Sequence, residues 1–201
     1  MKKTIIILSS LAVLIAVAVN SSCNSSKPKP ETITDDAGFT YTKQQAKHGE
    51  YLVAVMVCDD CHSPKVMGPL GPEVDSSRRL SGYRSSVPVA PVDTQALKSW
   101  VMFGPEFTNI VGPWGMSFAA NLTSDPTGIG NWTLDNFKTA IRKGKYKGIE
   151  SGRELLPPMP WQQYRNLTDE DLRDIFAFLK TTRPVENRVP APILPMEINK
   201  K

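Results

Sequence analysis

The pattern of apolar positions predicts a first amphipathic helix over about residues 43–57. Its apolar face consists of Leu52, Val55 and Met56. Thr42 stands where an N-cap is needed, and Gln45, three residues later, completes a capping box. Gly49 lies inside this pattern, where it either permits close packing against another helix or simply weakens this one.

Two further helices are predicted in the second half of the chain. One covers residues 134–143 and begins after Thr133, a favourable N-cap. The other begins after Thr168, where acidic residues suit the positive end of a helix, and stops before Pro184. Its apolar stripe consists of Leu172, Ile175, Phe176 and Leu179.

The remaining stretches show little regular pattern. Residues 63–131 are rich in glycine, proline and serine, with no sustained alternation of apolar and polar positions. Within them, residues 93–103 are compatible with a short helix. Residues 184–201 contain four prolines, which favours an extended chain along the surface. We therefore predict an all-α fold with a long, loop-rich insertion.

The first residues have the pattern of a secretory signal. Lys2 and Lys3 precede an apolar run, Ile5–Val19, of about 15 residues. This run is shorter than the ~20 residues that span a bilayer. Residues 1–22 are therefore predicted to be a signal peptide, and the protein to be exported; an uncleaved anchor helix is the alternative.

Cys23 follows small residues directly after this run, in a setting that resembles a bacterial lipoprotein processing site. We expect Cys23 to be lipidated, with residues 23–38 as a polar, flexible tether. Such a tether would hold the protein on the periplasmic side of a bacterial membrane. Cleavage that leaves a free thiol is the alternative.

Composition and charge narrow the function classes. With 40% hydrophobic and 22% charged residues, a chain of 201 residues suits one globular domain. The net charge of +4 is too small to indicate a nucleic-acid partner.

Cys58, Cys61 and His62 form a Cys-x-x-Cys-His sequence. This spacing is the attachment signature of a c-type haem, in which two thiols bond to one porphyrin and the adjoining imidazole ligates the iron. A thioredoxin-like dithiol and half of a zinc site are the alternatives. A dithiol does not need His62, and His48 is the only other histidine in the sequence. We therefore predict one covalent haem c.

The second axial ligand decides the chemistry of such an iron. A closed site suits electron transfer, whereas an open site suits ligand or peroxide chemistry. Met159 is the favoured candidate because three prolines around it stiffen the backbone. Met116, in an irregular loop, and His48 are the alternatives.

These motifs together resemble a class I c-type cytochrome, in particular the cytochrome c domains of membrane-bound alcohol and sugar-acid dehydrogenase subunits. The resembling stretches are Cys58–His62, Asn121–Thr133, Leu156–Trp161, Tyr164 and Leu167–Leu172. The resemblance implies a class I cytochrome c fold over residues 39–184, followed by a proline-rich tail over 185–201. It also implies thioether bonds at Cys58 and Cys61, with His62 as the proximal ligand and Met159 as the distal one.

About a hundred residues separate the two expected ligands, which is long for a minimal domain of this class. Residues 63–131 are therefore expected to be an insertion that covers one edge of the haem. Many dehydrogenase subunits of this kind contain several haem motifs, whereas this sequence has one.

The expected function is electron transfer with redox partner proteins, a dehydrogenase or a terminal oxidase. A haem enzyme with an open, peroxidase-like iron is the alternative. The sequence does not indicate an oligomeric state. A basic cluster is either a solvated helix face or a docking surface for an acidic partner; its members are Lys138, Arg142, Lys143, Lys145 and Lys147.

Overall fold

Five α-helices and three small antiparallel sheets make up residues 30–200, the part of the protein that this computed structural model describes. The helices are α1 (Lys43–Val55), α2 (Cys58–His62), α3 (Leu134–Lys143), α4 (Trp161–Tyr164) and α5 (Asp169–Thr181). Short 3-10 turns lie at Ser76–Arg78, Ala96–Lys98, Tyr146–Gly148 and Pro195–Glu197. Over residues 30–200, no helix is long and apolar enough to cross a bilayer.

Seven short strands form the sheets. They are β1 (Thr32–Thr34), β2 (Thr40–Thr42), β3 (Lys65–Gly68), β4 (Gly71–Val74), β5 (Met102–Phe103), β6 (Asn109–Gly112) and β7 (Gly115–Phe118). β1 pairs with β2, β3 pairs with β4, and β6 lies between β5 and β7.

The prediction of an all-α fold was wrong, because helices and sheets are mixed along the chain. The strands are two to four residues long, too short for the alternation that marks a strand in sequence. Five of them lie within 63–131, the stretch predicted to be loops. The short helix suggested over 93–103 is reduced to a single 3-10 turn.

The three helices predicted from capping and periodicity are confirmed as α1, α3 and α5. Each begins with a complete capping box, in which a threonine hydroxyl accepts from the N3 amide and the N3 side chain accepts from the threonine amide. At α1, the Gln45 amide donates to Thr42 Oγ1 at 3.1 Å. At the other end of α3, Gly144 takes the left-handed conformation (φ 63°) and ends the helix.

The core forms where α1 packs against α5. Its fully buried members come from both helices and from the loops that precede α3; they include Val53, Leu80, Ile129, Leu172, Phe176 and Leu179. At the crossing, a Cβ atom on Gly49 would lie 1.8 Å from the Asp174 carbonyl oxygen. Gly49 therefore permits close helix packing, the first of its two interpretations.

The hairpin of β1 and β2 is attached to α5 through a buried ion pair. Lys180 Nζ lies 2.8 Å from Asp35 Oδ2, and the two side chains are 4% and 12% exposed. Lys180 also donates to the Gly130 carbonyl at 2.6 Å. Burial raises the pKa of Asp35, but the hydrogen bonds from Lys180 and the Phe39 amide outweigh it and leave the pKa below its ordinary value.

Replacing Lys180 by methionine is expected to destabilise the fold by about 3 kcal/mol, because Asp35 is left buried without its counter-charge. The Asp35→Asn/Lys180→Met double variant should recover part of this loss.

The stabilisation by this ion pair should also depend on pH. Since the folded pKa of Asp35 is lowered, the pair's contribution to stability is present above about pH 4 and is lost as the pH falls through that pKa. Denaturant unfolding between pH 3 and 7 measures both effects, with exposed Lys98→Met as control. If Lys180→Met and Lys98→Met are equally stable, the Lys180–Asp35 ion pair does not stabilise the fold as expected.

A buried polar network joins the insertion to the C-terminal segment. The Asn121 side chain donates to the Val185 carbonyl at 2.8 Å. The Asn187 side chain donates to the carbonyls of Ser81 at 2.7 Å and Tyr83 at 2.8 Å. Asn187 is 3% exposed, so residues near 185–187 are integrated into the fold rather than loosely laid on it.

Candidate haem-binding site

The two-residue turn between α1 and α2 sets the direction of the Cys-x-x-Cys-His segment. Val57 occupies the left-handed region (φ 53°), which costs a β-branched residue about 1–2 kcal/mol. The Tyr164 hydroxyl donates to the Met56 carbonyl at 2.7 Å. Helix α4, which follows the Met159 loop, is therefore fastened to the start of the cysteine-containing segment.

Cys58 and Cys61 are separate, partly buried thiols on α2. Burial, together with the charge of Asp59, raises the pKa of Cys58 to about 11. Burial and Asp60 likewise raise the pKa of Cys61. Both sulfurs are thus protonated at neutral pH and are not joined to each other, so each is free to form a bond elsewhere.

His62 is oriented by a backbone carbonyl from a distant part of the chain. Its Nδ1 lies 2.8 Å from the Ala120 carbonyl oxygen, which accepts a hydrogen bond only from a ring that carries a proton on Nδ1. Burial lowers the pKa of His62, which favours the neutral ring that a metal requires. The remaining nitrogen, Nε2, is left for a metal, and a ring N–H held by a carbonyl is the usual support for such a ligand.

The Ala120 carbonyl is a contact of the candidate site that sequence reasoning missed. A carbonyl group carries no residue-type signal, and Ala120 lies 58 positions from His62. The nearest sequence signal is the stretch Asn121–Thr133, which begins one residue after Ala120 and resembles cytochrome c domains.

An arginine clamps the first turn of α2. Arg79 donates through Nε and Nη2 to the Asp59 carboxylate, with distances of 3.1 and 2.8 Å to Oδ2. The Ser63 hydroxyl donates to Asp59 Oδ1 at 2.6 Å and accepts from the Leu80 amide at 2.8 Å. Through Arg79, Asp59 therefore attaches α2 to the stretch of chain that follows it, residues 63–131.

A lysine caps the other end of α2. Lys65 Nζ donates to the carbonyls of Asp59, Asp60 and Ser63 at 2.9, 3.0 and 2.6 Å. A cation at this position satisfies the free carbonyls of a helix C-terminus and complements its negative end. With Arg79, it holds a five-residue helix that has little intrinsic stability.

Met159 lies in the proline-rich loop before α4 and is partly buried. It packs against the same hydrophobic core that Cys58 and Tyr164 contact. Burial and the nearby Cys58 and Cys61 raise the pKa of Tyr164, the last residue of α4. The structure thus brings the Met159 loop and the cysteine-containing segment to one part of the core.

The two alternative ligands have other partners. Met116 is 3% exposed within β7, and the Asn109 side-chain amide donates to its sulfur at 3.7 Å. His48 Nδ1 lies 2.8 Å from Asp174 Oδ2 at the packing of α1 on α5. Both side chains are therefore already bound to other residues at positions where they stabilise the fold.

Two carboxylates form ion pairs with three members of the basic cluster. Lys138 and Arg142 pair with Asp169 at 2.9 and 2.6 Å, and Lys143 pairs with Glu150 at 2.6 Å. These contacts favour the interpretation of the cluster as a solvated helix face.

The residues around α2 fit a covalent haem. Two unpaired thiols, a neutral imidazole with one free nitrogen, and a thioether on the same core are the donor set of a c-type site. Within residues 30–200, no group of three or more His, Cys, Asp or Glu side chains is placed to hold a metal ion.

Comparison with known proteins finds cytochrome subunits of dehydrogenases, although no protein-family model matches the chain. The chain is 39% identical over 88 residues to the cytochrome subunit of fructose dehydrogenase from Gluconobacter japonicus, covering 43% of this chain and 18% of that protein. It is 29% identical over 133 residues to the cytochrome c subunit of gluconate 2-dehydrogenase from Pantoea cypripedii, covering 66% and 22%.

A third relative is the cytochrome c subunit of a quinone-dependent alcohol dehydrogenase from Gluconobacter oxydans. It is 39% identical over 85 residues, which are 40% of this chain and 17% of that protein. The matched region therefore spans less than a quarter of the length of these relatives. Similarity to cytochrome c subunits of dehydrogenases supports a cytochrome c domain in this chain, with haem c as the implied cofactor.

Proposed function

We propose that this protein is a single-haem electron-transfer protein with His62 and Met159 as axial ligands. The observation that carries the proposal is the fixed His62 ring, whose Nδ1 is held by the Ala120 carbonyl at 2.8 Å beside two free thiols. The class I c-type cytochrome assignment, with haem bound covalently at Cys58 and Cys61, is part of this proposal.

The chain's own residues bind and orient the haem. When bound, the haem supplies one-electron redox chemistry at its iron. Cys58 and Cys61 would bond to the porphyrin, and the hydrogen bond to the Ala120 carbonyl would keep the His62 ring oriented as an iron ligand. Met159 would supply a thioether ligand to the iron, and such a ligand would favour the reduced state.

The proposed partner is a dehydrogenase, with a terminal oxidase as the alternative acceptor or donor. Support comes from the relatives, whose names describe cytochrome subunits of fructose, alcohol and gluconate dehydrogenases. A carrier of this kind passes one electron at a time between such proteins.

We further propose export and lipid anchoring through residues 1–22 and Cys23, which lie outside the described residues. The support is the sequence pattern alone. A Cys23→Ala protein should leave the membrane fraction on cell fractionation; a protein that stayed wholly in the membrane would contradict the anchor.

Replacing Met159 by alanine is expected to remove the weak Met-to-iron charge-transfer band of the oxidised protein. The midpoint potential should fall, because the thioether favours the ferrous state. Absorption spectroscopy of the purified haem protein and a redox titration measure the two effects.

Met67→Ala is the matched control. Met67 lies close to the motif in sequence, but its side chain is 80% exposed on β3. We expect its spectrum and potential to equal those of the unmodified protein. If the unmodified protein itself shows no charge-transfer band, His/Met ligation is wrong and an open-iron haem enzyme becomes the better assignment.

A further inference from the structure

Strand β7 and the residues after it contact both ligand-bearing segments. The Ser117 hydroxyl donates to the Pro157 carbonyl at 2.7 Å, two residues before Met159. The Ala120 carbonyl holds the His62 ring at 2.8 Å. Three residues of chain span at most about 10 Å, so the two attachment points are kept close to one another.

This stretch is itself firmly fixed. The Ala119 amide donates to the Thr108 carbonyl at 2.8 Å, and the Ala119 carbonyl accepts from the Tyr83 amide at 3.0 Å. Met116 exchanges two backbone hydrogen bonds with Ile193, at 2.9 and 3.0 Å. Because this segment is held on both sides, it can keep the Pro157 carbonyl and the His62 ring at a fixed separation.

The Met159 loop has few backbone amide donors with which to form hydrogen bonds of its own. Pro157, Pro158 and Pro160 have no amide hydrogen, so the loop lacks three backbone donors. The Met159 amide donates to the Leu156 carbonyl at a long 3.3 Å. Ser117 is 9% exposed whereas Pro157 is exposed, so the bond between them is partly buried and adds an attachment from outside the loop.

We propose that Ser117 is a positioning residue for Met159, and that the insertion thereby fixes the distal ligand relative to His62. The proposal rests on the proposed function, since it assumes that Met159 binds the iron. A thioether is a weak ligand, so the stability of its loop decides how easily another ligand replaces it.

The test compares Ser117→Ala with Ser124→Ala in the haem-loaded protein. The Ser124 hydroxyl donates to the Thr182 carbonyl at 2.6 Å, so its loss removes the same kind of bond away from both ligand segments. The measurement is the affinity of the oxidised protein for added imidazole, followed by loss of the Met-to-iron band. Loss of one neutral hydrogen bond corresponds to about a fivefold change in an equilibrium constant.

Ser117→Ala should therefore bind imidazole about fivefold more tightly than the unmodified protein, whereas Ser124→Ala should bind it equally. Ser117→Thr keeps the hydroxyl and should restore the original affinity. Equal affinities for the two alanine variants, or a Thr variant as weak in Met ligation as the Ala variant, would overturn the proposal. If the unmodified protein shows the charge-transfer band but the two alanine variants bind imidazole equally, only the role of Ser117 is rejected. If the unmodified protein lacks the band, the proposed Met159 ligation is rejected as well.

Discussion

A Cys58→Ala/Cys61→Ala protein should contain no covalently attached haem. Thioether bonds need the two sulfurs, and α2 carries both of them as separate thiols. Haem staining after denaturing electrophoresis should detect the unmodified protein and give no signal for the double variant. Each single variant should keep one thioether and stain more weakly.

Cys23→Ala is the control for this experiment, because Cys23 lies outside the motif. It should retain full haem staining, even where its membrane attachment is lost. Full staining of the double variant would mean that haem is not bound through Cys58 and Cys61, and the proposed cofactor chemistry would be wrong.

Replacing Gly49 by alanine should destabilise the fold by about 2 kcal/mol, although alanine is the better helix former. Helix propensity favours alanine by about 1 kcal/mol. Against this, the new Cβ would lie 1.8 Å from the Asp174 carbonyl oxygen and 2.9 Å from the Ile175 amide nitrogen, both backbone atoms of α5. Backbone cannot rotate aside, so α1 and α5 must separate, and overpacking of this kind costs about 1–3 kcal/mol or more.

Denaturant unfolding decides the sign of the Gly49→Ala effect. Ala54→Gly, exposed in the last turn of the same helix, is the control and should lose at most about 1 kcal/mol through propensity alone. If Gly49→Ala is more stable than the unmodified protein, the glycine only weakens α1, and the close helix crossing is not required for folding.

The helices could be predicted from sequence because their signals are local. Thr133, the periodic apolar residues and Gly144 lie within about a dozen positions and define α3 with its observed ends. The sheets could not be predicted, because a strand such as Met102–Phe103 is defined by its partner β6 and not by its own two residues.

The same distinction applies to the candidate site. Cys58, Cys61 and His62 are adjacent in sequence, so their chemistry is readable from spacing. The carbonyl of Ala120 and the hydroxyl of Ser117 act through contacts 58 and 40 residues away, and neither residue type is distinctive. Their role emerges only when the insertion is folded.

The pairing of α1 with α5 has a consequence for the order of events during biogenesis. These helices are separated by more than a hundred residues, and closing a loop of that length costs about 4 kcal/mol of chain entropy. Proteins are synthesised from the N-terminus, so the thiols emerge well before α5 does. If the chain folds before haem is attached, burial and the charge of Asp59 raise the pKa of Cys58 to about 11, which lowers the ionised fraction of this thiol at neutral pH. If haem is bound covalently at Cys58 and Cys61 as proposed, this topology favours attachment to a chain that is still open, with α1 and α5 docking afterwards.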